Sequence, residues 1–360
     1  MRIGVDVSWM TGKYRGMGSF GRTLVEPIID DIVPLSPRPS NFYDLDVVGS
    51  GSKFFPFWEQ FDLPRLCNVN ELDFLLCPYN TGPLMGVGKT KVISVVHDLI
   101  FMESWRDLPP SRSLYQNFGR VYRKTIVPKL CKRADILVTV SHHSKLKICE
   151  RFDVPNKNIV VIPNSISADW FGTPLPLSER EPWIFTVAGA HANKNTARLI
   201  KAFACSTMST DEPSCLIIAG IPVANQQYFK RIANKLNVLH NVIFLDYVST
   251  DEMRFYHRNS RVFVFASLYE GFGIPLIEAM ASGTPISCSN TSCFPEVTGG
   301  HASFFDPRNV EEMSASISKT WAGSQQTLDT ALSAFDLSKR YMQPVVQHQI
   351  KNFWREVYQP

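Results

Sequence analysis

Ten short apolar runs, alternating with longer stretches of helical character, do most to limit what this chain can become. They fall at 3–7, 74–77, 92–96, 136–140 and 159–162 in the first half, and at 184–187, 215–219, 242–245, 262–265 and 285–288 in the second. Each is too continuously apolar for a strand with one wet face, as expected of strands buried on both sides. Strands of that kind, separated by helices, predict an α/β architecture with parallel sheets, and each half holds enough of them for a sheet of its own. A length of 360 residues agrees, because single cores rarely grow past about 250–300 residues.

The break between the halves is expected in the proline-rich stretch that ends at Pro182. It gives a first Rossmann-like domain over 1–172, a linker over 173–182, a second Rossmann-like domain over 183–335, and a segment 336–360 whose helix returns to the first domain. In that last helix Ile350, Phe353, Trp354 and Val357 share one face, which needs something to bury it. The segment 41–61 is rich in aromatics, glycine and proline without a clear period, and reads as an irregular loop packed on the first domain, with an acceptor-contacting insertion as the alternative.

With 44% hydrophobic residues and no apolar run of membrane-spanning length, the chain reads as globular. Its polar start, Met1-Arg-Ile-Gly-Val5, reads as a strand rather than a leader, so the cytoplasm is the expected location. The eight cysteines form no CxxC pair, and a zinc site is not expected. Net charge is only +4, yet Arg106 to Arg151 carries eleven Lys or Arg against three Asp or Glu. Arg112, Arg120, Arg123, Lys124, Lys129, Lys132 and Arg133 lie on or beside one helical stretch. Such a run is either a solvated face or a surface drawn to anionic lipid or a phosphate-bearing acceptor. Nucleic acid is disfavoured, since the aromatic interleaving of a stacking platform is missing.

Chemistry concentrates in Ser267-Leu-Tyr-Glu-Gly-Phe-Gly-Ile-Pro-Leu-Ile-Glu278, where a buried strand runs into a glycine-rich turn and then a helix. Gly271 and Gly273 let the backbone turn tightly around Phe272 and Ile274, and Pro275 suits the first helical turn. Backbone N–H groups at the helix start favour an anion. Glu270 at the turn and Glu278 further along could accept hydrogen bonds from a sugar and a ribose. The layout suits a nucleotide-sugar pocket, although glycine-rich turns serve many nucleotide-binding proteins.

Other candidates are spread along the chain. Gly16 and Gly18 allow close backbone approach but lack the Lys and Ser or Thr of a Walker loop, which disfavours an ATPase. His97 follows an apolar run at the end where ligands of open α/β sheets gather, either as a site residue or as a core histidine bonded to Asp98. Lys194, just after Gly189, is either a solvated lysine or a cation for a diphosphate. Tyr247 and Val248 follow a further run, where Tyr247 caps the core or, as the resemblance named below implies, the pair brackets a nucleotide base. No DxD motif follows a strand, and no metal ligands are assigned.

Several separated segments carry a likeness in consistent order: Gly16-Met-Gly-Ser-Phe-Gly21, Val95-Val-His-Asp-Leu-Ile100, Val140-Ser-His-His-Ser-Lys145, Val161-Ile-Pro-Asn-Ser165, His191-Ala-Asn-Lys-Asn195, Tyr247-Val-Ser-Thr-Asp-Glu252, Ser267 through Gly283, and Phe294-Pro-Glu-Val-Thr-Gly299. Through them the sequence resembles retaining glycosyltransferase family 4, and in particular bacterial mannosyltransferases of polysaccharide synthesis. The resemblance implies the GT-B fold, two Rossmann-like domains with parallel sheets facing a central cleft. It implies a donor held mainly by the second domain and an acceptor held mainly by the first. Glu270 and Glu278 match the family's E-x7-E pair, implying contacts to the transferred sugar and the ribose respectively. Lys194 matches the basic residue at the diphosphate, while the arginine usual nearby is missing from Thr186-Val-Ala-Gly-Ala-His191, leaving His191 and helix N–H groups to assist. His97 becomes the contact to the donor sugar, with Asp98 orienting the loop or meeting the acceptor. Turnover without a cofactor or metal is implied.

The function expected on these grounds is transfer of α-mannose from GDP-mannose to a hydroxyl of a saccharide or lipid-linked saccharide acceptor, by an enzyme in the cytoplasm or peripheral at the inner face of the membrane. Two alternatives stay open: another retaining hexosyltransferase using a UDP- or GDP-sugar, and a non-catalytic sugar-nucleotide or glycan-binding protein of the same fold.

Overall fold

A computed structural model describes residues 1–11, 16–38, 41–49, 51–111, 113–207 and 214–359. Arg112 of the basic segment lies outside them. The chain divides into two compact units, Met1–Asn164 with Pro344–Pro360, and Ser165–Gln343.

The first unit contains β1 (Ile3–Asp6), β2 (Ile32–Leu35), β3 (Asn41–Phe42), β4 (Leu45–Asp46), β5 (Phe74–Cys77), β6 (Lys91–Val95), β7 (Ile136–Thr139) and β8 (Ile159–Val161). Six of these form one parallel sheet in the order β2-β1-β5-β6-β7-β8. Its helices are α1 (Met17–Val25), α2 (Phe55–Phe57), α3 (Leu63–Val69), α4 (Leu114–Arg133) and α5 (His142–Phe152). Residues of β5 are buried throughout, as the unbroken apolar run requires. Ser113 and Ser141 start α4 and α5 by accepting from the N–H groups of Gln116 and Ser144, which satisfies donors the helix itself leaves unpaired.

In the second unit β9 (Glu181–Val187), β10 (Cys215–Ala219), β11 (Val242–Phe244), β12 (Ser260–Phe265), β13 (Ile286–Ser289) and β14 (Ser303–Phe305) form a parallel sheet ordered β11-β10-β9-β12-β13-β14. The helices are α6 (Thr196–Thr207), α7 (Val223–Lys235), α8 (Thr250–Asn259), α9 (Ile274–Ala281), α10 (Phe294–Val297), α11 (Val310–Ala322) and α12 (Gln325–Ser338). The chain builds outward from β9 to β11, then crosses back to place β12 on the other side of β9. Strand order therefore reverses between β9 and β12, the place in an open α/β sheet where ligands gather at the strands' carboxyl ends.

The final helix, α13 (Gln343–Tyr358), buries Ile350, Phe353, Trp354 and Val357. Its indole Trp354 Nε1 donates to the Leu24 carbonyl at 2.7 Å and Tyr358 Oη to Asp31 at 2.6 Å, tying it to α1 and the turn that follows.

Three features depart from the sequence reading. The two edge strands β2 and β14 are additional; β2 carries Pro34, which lacks an N–H and is tolerated at an edge. Within segment 41–61 the described residues form regular elements: β3 and β4 meet through Tyr43 and Asp44, both at positive φ, the backbone of a tight hairpin turn. The chain then enters α2, and Trp58 is buried with its indole 3.4 Å from Asp6. Finally, the division falls at Asn164 and Ser165 rather than in 173–182. Ile166 pairs with the 341–343 backbone, accepting from Gln343 N at 2.9 Å and donating to Tyr341 O at 3.0 Å. The Arg180 guanidinium donates to the carbonyls of Arg258 and Gly283 at 2.7 and 2.8 Å. Those bonds weld the proline-rich stretch into the second unit.

Candidate active site

The loops leaving β9 and β12 meet where the strand order reverses. After β9 the chain passes Gly189 and His191, makes a single tight turn over Ala192–Lys194, and enters α6 through Asn195 in the left-handed region at φ 58°. Asparagine adopts that conformation more readily than other side-chain-bearing residues. The Asn195 amide donates to the carbonyls of Ala266 and Pro307 at 3.1 and 2.7 Å, and Leu268 N donates to Asn193 O at 2.7 Å. The two loops are thereby stitched together.

Across that seam Lys194 Nζ lies 2.6 Å from Glu270 Oε1, with the two side chains about one quarter and one sixth exposed. Lys194 also lies 5.7 Å from the centre of the Phe265 ring. A partly desolvated cation and carboxylate in contact at a switch point offer an anion-binding and a hydroxyl-binding group side by side. Ser292, from the loop after β13, fixes the carboxylate's backbone: it accepts from Glu270 N at 3.2 Å and donates to Glu270 O at 2.5 Å. Asn195 and Ser292 were not singled out by sequence reasoning; the readable signal was an asparagine directly after the lysine turn.

Beyond Glu270 the turn behaves as its glycines require. Gly273 has φ 98°, and a Cβ there would lie 3.2 Å from Leu276. Gly271 and Phe272 are buried and Ile274 opens α9, partly exposed. The Phe272 ring packs edge-on to Tyr341 at 5.5 Å, so any ligand contact from this residue belongs to its backbone. Glu278 does not join the Lys194 pair. It projects from the second turn of α9, its Oε2 lying 3.6 Å from His257 Nε2. His191 is exposed, and its carbonyl accepts from Lys194 N. Tyr247 is 72% exposed, which removes the core-capping alternative; with Val248 it precedes α8, started by the reciprocal Ser249 and Glu252 cap.

The remaining candidates belong to the first unit. Gly16 is exposed and precedes α1, of which Gly18 is a buried residue. His97 follows β6, 7% exposed, its ring 5.1 Å from that of Phe20 on α1. Its Nε2 lies 2.9 Å from the Pro78 carbonyl; a carbonyl only accepts, so Nε2 carries the proton and Nδ1 the lone pair. Burial lowers the imidazole's pKa to about 4, against a smaller opposing push from that carbonyl, so the ring is neutral near pH 7. The pairing with Asp98 is not the one found: Asp98 accepts from Ile100 N at 2.9 Å, and the His97 N–H is held by Asn80 Oδ1 at 2.6 Å.

The basic segment resolves into structural and surface cations. Arg120 is buried, donating to the carbonyls of Phe101, Leu108 and Glu103 while lying over Trp105. Lys124 donates to Glu103 O and Arg151 to Met102 O. Lys129, Lys132 and Arg133 are exposed. Among the described residues there is no cluster of three or more His, Cys, Asp or Glu able to hold a metal ion, and no helix is long and apolar enough to cross a membrane.

Comparison with known proteins also divides the chain in two, between residues 170 and 173. Residues 5–170 match the family described as Glycosyltransferase Family 4, and residues 173–336 match Glycosyl transferases group 1. Among similar proteins, the O-antigen chain mannosyltransferase B of Escherichia coli is 28% identical over 193 residues, 51% of this chain and 51% of that protein. The O-antigen chain mannosyltransferase RfbU of Salmonella typhimurium is 28% identical over 210 residues, 56% of this chain and 58% of that protein. The matched region thus spans a little over half the length of these relatives. In structure the chain is similar to Anabaena Alr3699/HepE in complex with UDP and glucose, with TM-score 0.75, 17% identity and coverage of 99% and 100% of the two chains. It is likewise similar to sucrose-phosphate synthase from Thermosynechococcus elongatus, with TM-score 0.74, 15% identity and 99% of each chain covered.

Proposed function

We propose that this chain, which has the GT-B fold and belongs to glycosyltransferase family 4, is a retaining hexosyltransferase that moves α-mannose from GDP-mannose to a hydroxyl of a saccharide or lipid-linked saccharide in cell-surface polysaccharide synthesis. The observation that carries the reading is the contact of Lys194 with Glu270 at the strand-order reversal. A departing nucleoside diphosphate gains negative charge as the glycosidic bond breaks, and a cation placed there lowers the barrier most where that charge develops. Lys194 suits that role, and Glu270 beside it suits acceptance of hydrogen bonds from hydroxyls of the transferred sugar. A donor spanning both would replace their mutual contact with its own. The choice of mannose is supported by the O-antigen mannosyltransferases among the relatives.

No arginine stands in the β9 loop, but Arg198 in the first turn of α6 donates to Asn195 Oδ1 at 2.9 Å. It supports the lysine turn and adds positive charge beside it. The exposed Tyr247 offers a face for a nucleotide base. His97, neutral and donating through Nε2, is read as a contact to the donor sugar through its remaining lone pair rather than as a charged group. Turnover is read as independent of metal, and the location as cytoplasmic with peripheral membrane contact.

A second reading keeps the chemistry and changes the donor to a UDP-sugar; the structural similarity to a protein solved with UDP and glucose favours testing it. A panel of GDP- and UDP-sugars, read first by thermal shift and then by nucleoside diphosphate release in the presence of EDTA, separates the two. GDP-mannose is expected to give the largest shift and α-configured product. Glu270→Gln is expected to cut release by about a hundredfold, the scale of losing one group aimed at the transition state. Binding with no release from any donor, across a panel of saccharide acceptors, would instead favour a non-catalytic sugar-nucleotide protein.

A further inference from the structure

His257 is a polar side chain in an apolar place. It sits near the end of α8, fully buried, boxed by the rings of Phe263, Phe185 and Trp170 at centroid distances of 4.6, 5.0 and 5.6 Å. Neither ring nitrogen has a hydrogen-bond partner. A buried donor left without a partner is destabilising, and a phenylalanine would fill an aromatic box without that cost. Packing alone therefore gives no reason for an imidazole here.

The polar group its Nε2 faces is the carboxylate of Glu278, at 3.6 Å. A hydrogen bond holds the two elements close: Thr284, three residues past the end of α9, donates its hydroxyl to the His257 carbonyl at 2.5 Å. At 3.6 Å the pair is not yet a hydrogen bond, but a few tenths of an ångström of side-chain movement makes it one. Glu278 Oε2 then has a fixed donor behind it, leaving Oε1 for a ligand.

We infer that His257 is a positioning residue: its Nε2 holds one oxygen of Glu278 so that the other meets the hydroxyls of a nucleotide ribose. The inference rests on the reading of Glu278 as the ribose acceptor, which the resemblance implied for the second glutamate.

The test compares affinities for GDP and 2′,3′-dideoxy-GDP, and for the uridine pair, by calorimetry. The native protein is expected to prefer the ribose form. Glu278→Gln should largely abolish that preference. His257→Phe, which fills the box without a donor, should reduce it by about tenfold, the share of one hydrogen bond to a charged group. His257→Gln should restore most of it, and adding His257→Phe to Glu278→Gln should change nothing more. If Glu278→Gln keeps the full preference, the ribose reading of Glu278 fails and the inference falls with it. If Glu278→Gln loses the preference while His257→Phe keeps it, only the positioning role is overturned. Thermal unfolding checks that each variant is folded, and His257→Met replaces His257→Phe should the larger ring disrupt the box.

Discussion

His97 shows how far burial changes what a residue can do. Its imidazole is held near a pKa of about 4 by desolvation, below the ordinary value near 6.5. Between those values the unfolded chain binds a proton that the native protein does not. The stability linked to His97 is therefore complete above about pH 6.5 and is lost as pH falls through 4, a difference of about 3 kcal/mol at most. Denaturant unfolding at stepped pH should show this slope in the native protein and lose it in His97→Ala. The rate profile between pH 5.5 and 8 should carry no inflection from this histidine, and His97→Ala should bind donor while transferring poorly. At this scale the sequence was partly legible. The positions of Glu270 and Lys194 could be read from motif and order, but their contact could not, because 75 intervening residues separate them and only the strand crossing brings them together. The ring's actual partner could not be read, since the Pro78 carbonyl comes from another strand's end.

Among the elements, the wide π-type turn Trp58–Asp62 between α2 and α3 contains the least expected side chain. Glu59 is 1% exposed, accepting from Tyr122 Oη at 2.6 Å and Gln60 Nε2 at 3.0 Å. Desolvation dominates and raises its pKa to about 7. The sign is opposite to that of His97: here the native state holds the proton more tightly, so the stability linked to Glu59 is full below about pH 4.5 and declines as pH rises through 7. Glu59→Gln, which keeps acceptor and shape but not the charge, should match the native protein near pH 5 and exceed it at pH 8 by up to about 3 kcal/mol. Melting curves across that range decide it. Buried strands announce themselves by unbroken apolar runs, which is why β5 and β10 were found to the residue. The edge strands β8 and β11 were readable from their apolar runs, whereas β2 is interrupted by Pro34 and β14 opens on Ser303, so neither carries an unbroken apolar signal. The helical start at Phe55 was hidden because its aromatics face both the core and solvent, leaving no single period.

For the whole molecule, the first unit presents an unusual surface. Phe54, Phe57, Phe61, Leu114, Tyr115 and Phe118 are all at least 47% exposed, with Phe57 stacked on Phe61 at 4.7 Å and Phe54 beside Phe118 at 6.0 Å. Exposed apolar groups of this size in one cluster mark a contact surface. Exposed Lys53 and Arg65 flank the same segment. Part of the charge noted in the sequence is spent on internal carbonyls, so aromatic contact, with these cations beside it, is the better physical ground for membrane association. Liposome flotation should show binding to vesicles rich in anionic lipid, weakened in Phe57→Ser with Phe61→Ser more than in Lys132→Ala with Arg133→Ala. Equal recovery of all three with and without vesicles would leave the cluster without a lipid role. The two-unit plan was legible because each half repeats the strand pattern, whereas the dividing point was displaced by the proline-rich stretch, whose composition resembles a linker but whose guanidinium and backbone bonds anchor it.

The return of α13 to α1 has a further meaning for how the protein is made. Leu24 and Asp31 leave the ribosome more than three hundred residues before the indole and phenol that satisfy them. The first unit cannot bury Val346, Ile350, Phe353, Trp354 and Val357 until α13 has been made, by which time the whole stretch Ser165–Gln343 of the second unit has already emerged. The first unit is thus completed only after the second has been synthesised.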